Sequence, residues 1–262
     1  GFSIGGASET GRNSANFASW NWKAGGSASS NSNGSITSSV SANTTAGFSI
    51  VKWTGNGSTA TIGHGLGVAP SAIIVKNYSA SMNWISYWKT LGANKYLEFN
   101  LANAAGTGTT EWNNTSPTSS VFSVGNTGSG NQNNGSLVAY CFAEKQGYSK
   151  FGSYLGFNSG EYGPFIYTGF KPAFVLIKDS SAANAWTIRD DKRNTFNPAT
   201  NFLMPNETDA EVTAGEAVDI LSNGFKIKAN GGKVQDSGNT YIYMAFAENP
   251  FVASNFNAAT AR

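Results

Sequence analysis

A single cysteine, Cys141, in 262 residues excludes an intramolecular disulfide, so packing or assembly must hold the fold together. Set among strand aromatics, Cys141 reads as a small buried thiol. The chain also has a single histidine, His64, within Gly63-His64-Gly65. No G-x-S-x-G elbow or evident acidic partner accompanies it, so it reads as a turn residue and not as the base of a relay. One His and one Cys cannot build a zinc site in one chain. Charge is scarce too: 12% of residues are charged and the net charge is +2. Without a basic field or a Lys/Arg cluster, nucleic acid is not an expected partner. No apolar run approaches the ~20 residues of a membrane span, so membrane insertion is not expected. No stretch carries a sustained, capped helical stripe, leaving room only for short helical turns near Asn113–Ser119 or Asp209–Ala217.

What is abundant points one way. Glycine (31 residues), Asn, Ser and Thr alternate with aromatics at 13% of the chain, the profile of a β-rich, turn-rich protein with a neutral polar surface. One pattern occurs three times. Gly1–Ala24, Val121–Glu144 and Gly224–Glu248 each carry an aromatic strand, a Gly/Asn/Ser tract and a second aromatic strand. Phe2, Phe122 and Phe225 hold one position; Trp22, Phe142 and Phe246 hold the other. The alternation predicts three antiparallel hairpins, the latter two each closing a domain. Pro70 with Pro172, Lys76 with Lys178, and Trp84 with Trp186 are each 102 residues apart, a fixed offset that argues for internal duplication. Ile73, Ile74 and Val75, matched by Val175, Leu176 and Ile177, read as strands buried on both faces.

The expected organisation is all-β: two tandem, duplicated antiparallel β-sandwich domains of jelly-roll or lectin-like type, preceded by a hairpin from a partial repeat. The boundaries are 1–24 for that hairpin, 25–46 for a Ser/Gly/Asn-rich linker, 47–146 and 147–251 for the sandwiches, and 252–262 for a tail. Phe2, Ile4, Phe17, Trp20 and Trp22 alternate as though lining a core, which upstream sequence or a neighbouring subunit would complete.

The motifs TIGHGLGVAPSAIIVKN, EWNNTSPTSSVFSVG, LVAYCFAEKQGYSKFGSY, GPFIYTGFKPAFVLIK, ILSNGFKIK and YIYMAFAENPF resemble the tandem C-terminal repeats of tailed-phage tail-fibre-like structural proteins, above all those of marine and cyanobacterial phages. The resemblance implies a virion-surface, extracellular protein of tail-fibre or related appendage type that contacts the host, with other virion proteins and a host surface glycan as partners. The uncovered half-repeat at the start and the Ser/Gly/Asn tract after it lead to an expectation of self-assembly, most simply as a homotrimer with contacts concentrated in residues 1–46. It carries over no catalytic residue, cofactor or metal. Two other readings stand beside it: a polysaccharide depolymerase, or a purely architectural decoration protein.

Candidate chemistry is sparse. Trp53, Trp88 and Trp112 are possible glycan-stacking platforms, Trp88 foremost because its counterpart at the repeat offset is Asp190, whereas Trp84 and Trp186 recur as expected core residues. Asp190 and Asp191 are adjacent, so on a strand they point to opposite faces, against a shared glycosidase site. Glu207, Asp209, Glu211, Glu216 and Asp219 form an acidic stretch that misses the EF-hand spacing and reads as a solvated loop.

Overall fold

The computed structural model describes residues 2–7, 10–157, 163–229 and 231–247; the expected tail, 252–262, lies outside them. The first half forms β1 (Ser29–Asn31), β2 (Ser38–Asn43), β3 (Phe48–Thr54), β4 (Ala60–Gly63), β5 (Ala72–Asn77), β6 (Ile85–Trp88), β7 (Lys95–Glu98), β8 (Gly106–Thr107), β9 (Val121–Val124), the single-turn helix α1 (Gly128–Asn131) and β10 (Ser136–Phe142). The second half forms β11 (Ser149–Leu155), β12 (Phe165–Tyr167), β13 (Pro172–Asp179), β14 (Thr187–Asp190), β15 (Val218–Leu221), β16 (Gly224–Ile227) and β17 (Thr240–Ala247). The protein is all-β and antiparallel, as expected. The one short helix among the described residues, capped by Thr127 Oγ1 accepting from Gly130 N at 3.1 Å, lies outside both stretches named for helical turns.

The halves share a strand order. In the first, an eight-stranded sheet runs β1-β2-β3-β10-β5-β6-β7-β8 and faces the pair β4-β9; in the second, β11-β17-β13-β14 faces β12-β16-β15. Thus β3-β10-β5-β6 corresponds to β11-β17-β13-β14, and β4-β9 to β12-β16. Phe142 and Phe246 hold matching register positions. Phe142 lies opposite Phe48 and Ala72, and Phe246 opposite Ser149 and Phe174.

The expected closing hairpins are not hairpins. β9 pairs with β4 while β10 pairs with β3 and β5; likewise β16 pairs with β12 and β15 while β17 pairs with β11 and β13. Each pair of strands is an arch that crosses from one sheet to the other, so its strands face each other across a core. Alternation looks the same in both arrangements, because either way one face of each strand is buried. The long intervening tract, with α1 inside it in the first half, permits the crossing.

The N-terminal expectation also changes. Among the described residues before Ser29 there is no strand, so the 1–24 hairpin is absent there, and the supposed linker 25–46 contains β1 and β2. Phe2, Ile4 and Phe17 are exposed, while Trp20, Trp22 and Ala24 pack on the interior.

Three cores result. Alternate residues of β3, β5 and β10 (Val51, Trp53; Ile73, Val75; Leu137, Ala139, Cys141) meet Ile62, Phe122 and Val124 inside the first sandwich. Val175, Ile177, Tyr241, Tyr243 and Ala245 meet Ile166, Phe225 and Ile227 inside the second. The opposite faces of the same central strands pack the two large sheets back to back: Phe48, Ile74, Trp88, Leu97 and Phe142 against Phe151, Phe174, Leu176, Trp186, Met244 and Phe246. β5 and β13 are therefore buried on both faces, as their continuous apolar runs predict. The Phe142 and Phe246 rings meet at 6.0 Å, centroid to centroid.

Candidate functional site

The shared core is closed at one end by the chain itself. Residues 17–24 cross the seam between the two large sheets without forming a strand, and Trp20-Asn21-Trp22 places two indoles on the seam because residues two apart in extended chain point the same way. The Trp22 ring lies edge-on to Phe142 (5.9 Å), Phe174 (5.6 Å) and Phe246 (5.3 Å). Trp20 lies edge-on to Phe174 at 5.7 Å. Geometry of this kind adds about 0.5–1.5 kcal/mol per pair beyond area burial.

A cavity opens on each side of this strap. The outer one, about 620 Å³, is lined by Phe17, Trp20, Trp22, Tyr148, Phe174 and Phe246 together with Asn21, Asp190, Asp191, Lys192 and Arg193. The Arg193 guanidinium stands 5.8 Å from the Trp20 ring centre, within cation–π range. Its Nε lies 3.0 Å from Asp190 Oδ2, and its Nη1 pairs with Glu211. Asp190 Oδ1 accepts from the backbone N–H of Lys192 (3.0 Å) and Arg193 (2.9 Å), so the turn after β14 locks this carboxylate in place. Asp191 pairs with Lys192 at 3.0 Å. The inner cavity, about 470 Å³, is almost wholly apolar, lined by Ile50, Ile74, Trp84, Phe99, Tyr140, Leu176, Ile188 and Met244. At its rim Lys76 Nζ sits 5.8 Å from the Trp84 ring centre. Aromatic walls with a few fixed polar groups are the usual make-up of a ligand site.

The three tryptophans singled out from the sequence are not at this site or on any surface. Trp53, Trp88 and Trp112 are 5%, 1% and 1% exposed. Trp53 donates to Asn131 Oδ1 at 3.2 Å and packs edge-on to Phe122. Trp88 donates to Ser86 Oγ at 3.0 Å and lies beside Trp186 in the shared core. Trp112 packs edge-on to Tyr87. Each fills core volume, and the lack of an aromatic counterpart at Asp190 reflects the two halves meeting different neighbours. Trp186 is fully buried, and its Nε1 donates across the seam to the carbonyls of Glu98 (3.3 Å) and Leu101 (3.1 Å). Trp84 is half-buried and stacks on Tyr140.

His64 is buried, not a free turn side chain. Nε2 faces the Thr118 carbonyl at 3.1 Å and Nδ1 accepts from Leu66 N at 3.2 Å, which puts the single proton on Nε2. Burial holds its pKa below the usual imidazole value. The Cys141 thiol is buried and pushed up to about 12 by desolvation, which makes it inert as a nucleophile. The acidic stretch is dispersed: Glu211 pairs with Arg193 and accepts from Asn201 at 3.0 Å, Glu216 lies 3.8 Å from Lys233, and Asp219 sits in β15. Among the described residues no group of three His, Cys, Asp or Glu side chains converges as a metal-binding set would, and no helix is long and apolar enough to cross a membrane.

Sequence reasoning placed Trp20 and Trp22 in a core but assigned that core to missing or neighbouring strands. The Trp-Asn-Trp spacing beside a polar tract was the available signal for a strap.

Fold and cavities define a nearly all-β module whose two sandwiches are fused through an aromatic seam. The chain belongs to the family described as a domain of unknown function, DUF7483, whose pattern matches residues 1–250. No curated protein and no solved structure is significantly similar to it.

Proposed function

We propose that the chain is a non-enzymatic, extracellular surface module of a tailed-phage virion, of tail-fibre or related appendage type, that assembles with itself and other virion proteins and holds a host surface glycan in the outer cavity beside Trp20. The sequence resemblance supports the setting. The observation that carries the binding role is the cavity itself: half-buried indole and phenol rings next to an Arg193–Asp190–Asp191 array. Aromatic faces suit the C–H faces of sugar rings, while a guanidinium and carboxylates fixed by their own partners suit hydroxyls. We read the shared strand order as the product of internal duplication.

The depolymerase alternative has one observation in its favour, since Asp190 and Asp191 line the same cavity. Asp190, however, is held by Arg193 and two backbone amides, an arrangement that fixes the carboxylate in place. Titrating host cell-surface polysaccharide into the protein decides between the readings. Saturable binding that Trp20→Ala weakens at least about tenfold, while the variant still unfolds cooperatively with an unchanged far-UV circular dichroism spectrum and no new reducing ends appear, is the expected result. Release of reducing ends makes the module an enzyme, and no binding at all makes it architectural.

A further inference from the structure

The sheet face that makes the seam does not end with it. On that face β3 carries Phe48, Ile50, Lys52 and Thr54, and β10 carries Phe142, Tyr140, Val138 and Ser136, paired one to one across the two strands. β5 extends the rows with Ala72, Ile74 and Lys76. The face therefore changes character in steps of two residues, about 6–7 Å each. Phe48–Phe142–Ala72 lies in the shared core and Ile50–Tyr140–Ile74 lines the inner cavity. The row Lys52–Val138–Lys76 comes next, and Thr54–Ser136 follows it. Burial falls along the same line: Phe48 and Phe142 are buried, Ile50 and Tyr140 half-buried, Lys52 and Thr54 exposed.

A polar cavity of about 430 Å³ follows the apolar one along this face. Ser30, Ser39, Lys52, Thr54, Tyr78 and Ser136 line it, so hydroxyls and an ammonium take the place of hydrocarbon. Lys76 stands at the rim of the apolar cavity, where its Nζ donates to the Met82 carbonyl and lies 5.8 Å from the Trp84 ring centre. Lys52 Nζ lies 5.5 Å from the Tyr78 ring centre. Neither ammonium is paired with a carboxylate among the described residues. Inside the apolar cavity the Tyr140 ring lies nearly parallel to Phe48 (4°) and to Trp84 (16°), with ring centres 6.5 and 6.4 Å away, so the three rings offer one strip of apolar surface.

We propose that this face binds an amphiphile, an acyl chain carrying a phosphate head group, with the chain in the apolar cavity and the phosphate between Lys52 and Lys76 beside the hydroxyls of the polar one. Each part of the site rules out a simpler occupant. The apolar cavity gives a sugar or a free phosphate nothing to hydrogen-bond, and even water needs two to four polar partners to settle in such a space. A purely apolar ligand would leave both lysines and the row of hydroxyls unused. A hydrocarbon chain ending in an anion uses all of them. Neighbouring strands are about 4.8 Å apart, so β3 and β5 on either side of β10 hold the two lysines about 10 Å apart at their backbones, close enough for both side chains to reach one group between them. A phosphate monoester carries about 1.5–2 negative charges at pH 7, which matches two ammonium groups. The site is separate from the outer cavity, which Ile50, Lys52 and Lys76 do not line.

Isothermal titration calorimetry of the full chain with monomeric alkyl phosphates, below their micelle concentrations, tests it. The expected result is saturable binding of dodecyl phosphate that weakens about tenfold or more with each two-methylene shortening, to decyl and then octyl phosphate, as the burial of methylenes requires. Ile50→Trp, which fills the apolar cavity, should abolish binding. Lys52→Gln combined with Lys76→Gln should weaken octyl phosphate at least about tenfold and leave the neutral octyl glucoside unchanged; this variant and the chain-length series decide the matter should Ile50→Trp fail to fold. Affinity that does not depend on chain length overturns the proposal, as does inorganic phosphate binding as tightly as dodecyl phosphate, or binding that survives in a folded Ile50→Trp protein. Association with phosphatidylglycerol vesicles without any binding of the monomeric amphiphile overturns it too, and makes the face a membrane-docking surface. None of these outcomes touches the glycan reading of the outer cavity, which is read by polysaccharide binding and Trp20→Ala.

Discussion

The two sandwiches share a strand order and differ in what they bury. Across the first core, Tyr87 of β6 and Trp112 pack with Ile85 and Val75. The register position of Tyr87 is taken in the second half by Arg189 of β14, which is fully buried. Its Nη1 donates to Thr187 Oγ1 at 2.9 Å and its Nη2 to the Glu216 carbonyl at 2.7 Å, and its guanidinium lies 4.6 Å from the Phe202 ring centre. Burial lowers its pKa to about 10, with Glu216 opposing the shift. One strand away the same contrast recurs: Lys76 reaches out over Trp84, whereas Lys178 is buried and donates to the carbonyls of Asp179 and Ala182. Next to these, Asn77 and Asp179 play one part, each accepting through Oδ1 from the backbone N–H two residues on, Ser79 at 3.1 Å and Ser181 at 2.8 Å. The comparison teaches that alternation and turn chemistry set this topology, while the chemical nature of the core can change where a buried charge finds partners for most of its polar atoms; of the Arg189 guanidinium, Nε is left without a hydrogen bond.

The largest expected effect tests whether the halves stand alone. Truncating Phe142 or Phe246 to Ala should each cost about 3–5 kcal/mol, and because the rings touch, the double variant should lose less than the sum. Urea unfolding should stay a single transition in the wild type; two separate transitions would show that the seam does not couple the halves. Next, Arg189→Met should destabilise by about 3 kcal/mol, since it leaves the Glu216 carbonyl and the Thr187 hydroxyl without their buried donor and removes the guanidinium from the Phe202 ring. Tyr87→Phe in the first half should cost under about 1.5 kcal/mol. Equal losses would break the contrast between a polar and an apolar core.

Smaller are the exchanges at the shared turn. Asn77→Asp removes the amide that donates to the Gly128 carbonyl (2.9 Å) and Gln132 Oε1 (2.6 Å). Asp179→Asn removes an acceptor used by Asn184 (3.0 Å) and Asn239 (2.8 Å). Each should cost about 1–3 kcal/mol, visible as a shift in denaturation midpoint.

The smallest effects are in pH. Burial lowers the folded Lys178 pKa to about 8 from an ordinary 10.5. Above pH 8 the unfolded chain therefore binds more protons, and stability from this group should rise from pH 8 towards 10. Lys178→Met should flatten that rise. Above pH 10 the tyrosines reverse it: burial raises the pKa values of Tyr154, Tyr241 and Tyr243 in the second core, so the unfolded chain loses protons first. In the first half the buried, neutral His64 contributes stability fully above its ordinary 6.5, which declines as pH falls through that value towards the lower folded one. His64→Gln should remove the acid-side slope alone.

Much of the architecture was legible because it rests on local rules. Uninterrupted apolar runs located β5 and β13, and the proline and tryptophan offsets aligned the halves. Pairing partners were not legible. A hairpin and an arch bury the same alternating faces, and only the tertiary layering tells Phe122–Phe142 facing across a core from the same residues side by side in a sheet. The tryptophans misled for a related reason. An aromatic without a counterpart at the repeat offset looks like a specialised surface residue, but Trp88 lies on the seam, where equivalent positions meet non-equivalent neighbours. The buried Arg189 was hidden because TIRD reads as a polar strand end until Glu216, 27 residues away, is brought against it.

The back-to-back seam also bears on how the chain is made. Translation finishes the first sandwich at Phe142, but the outward face of its sheet, carrying Phe48, Trp88, Leu97 and Phe142, has nothing to rest on until β17 emerges. At usual ribosomal speeds the intervening residues take about 5–20 s. For that interval the nascent chain displays a wide aromatic sheet face, and the Trp20–Trp22 strap, already synthesised, is at hand to shield part of it.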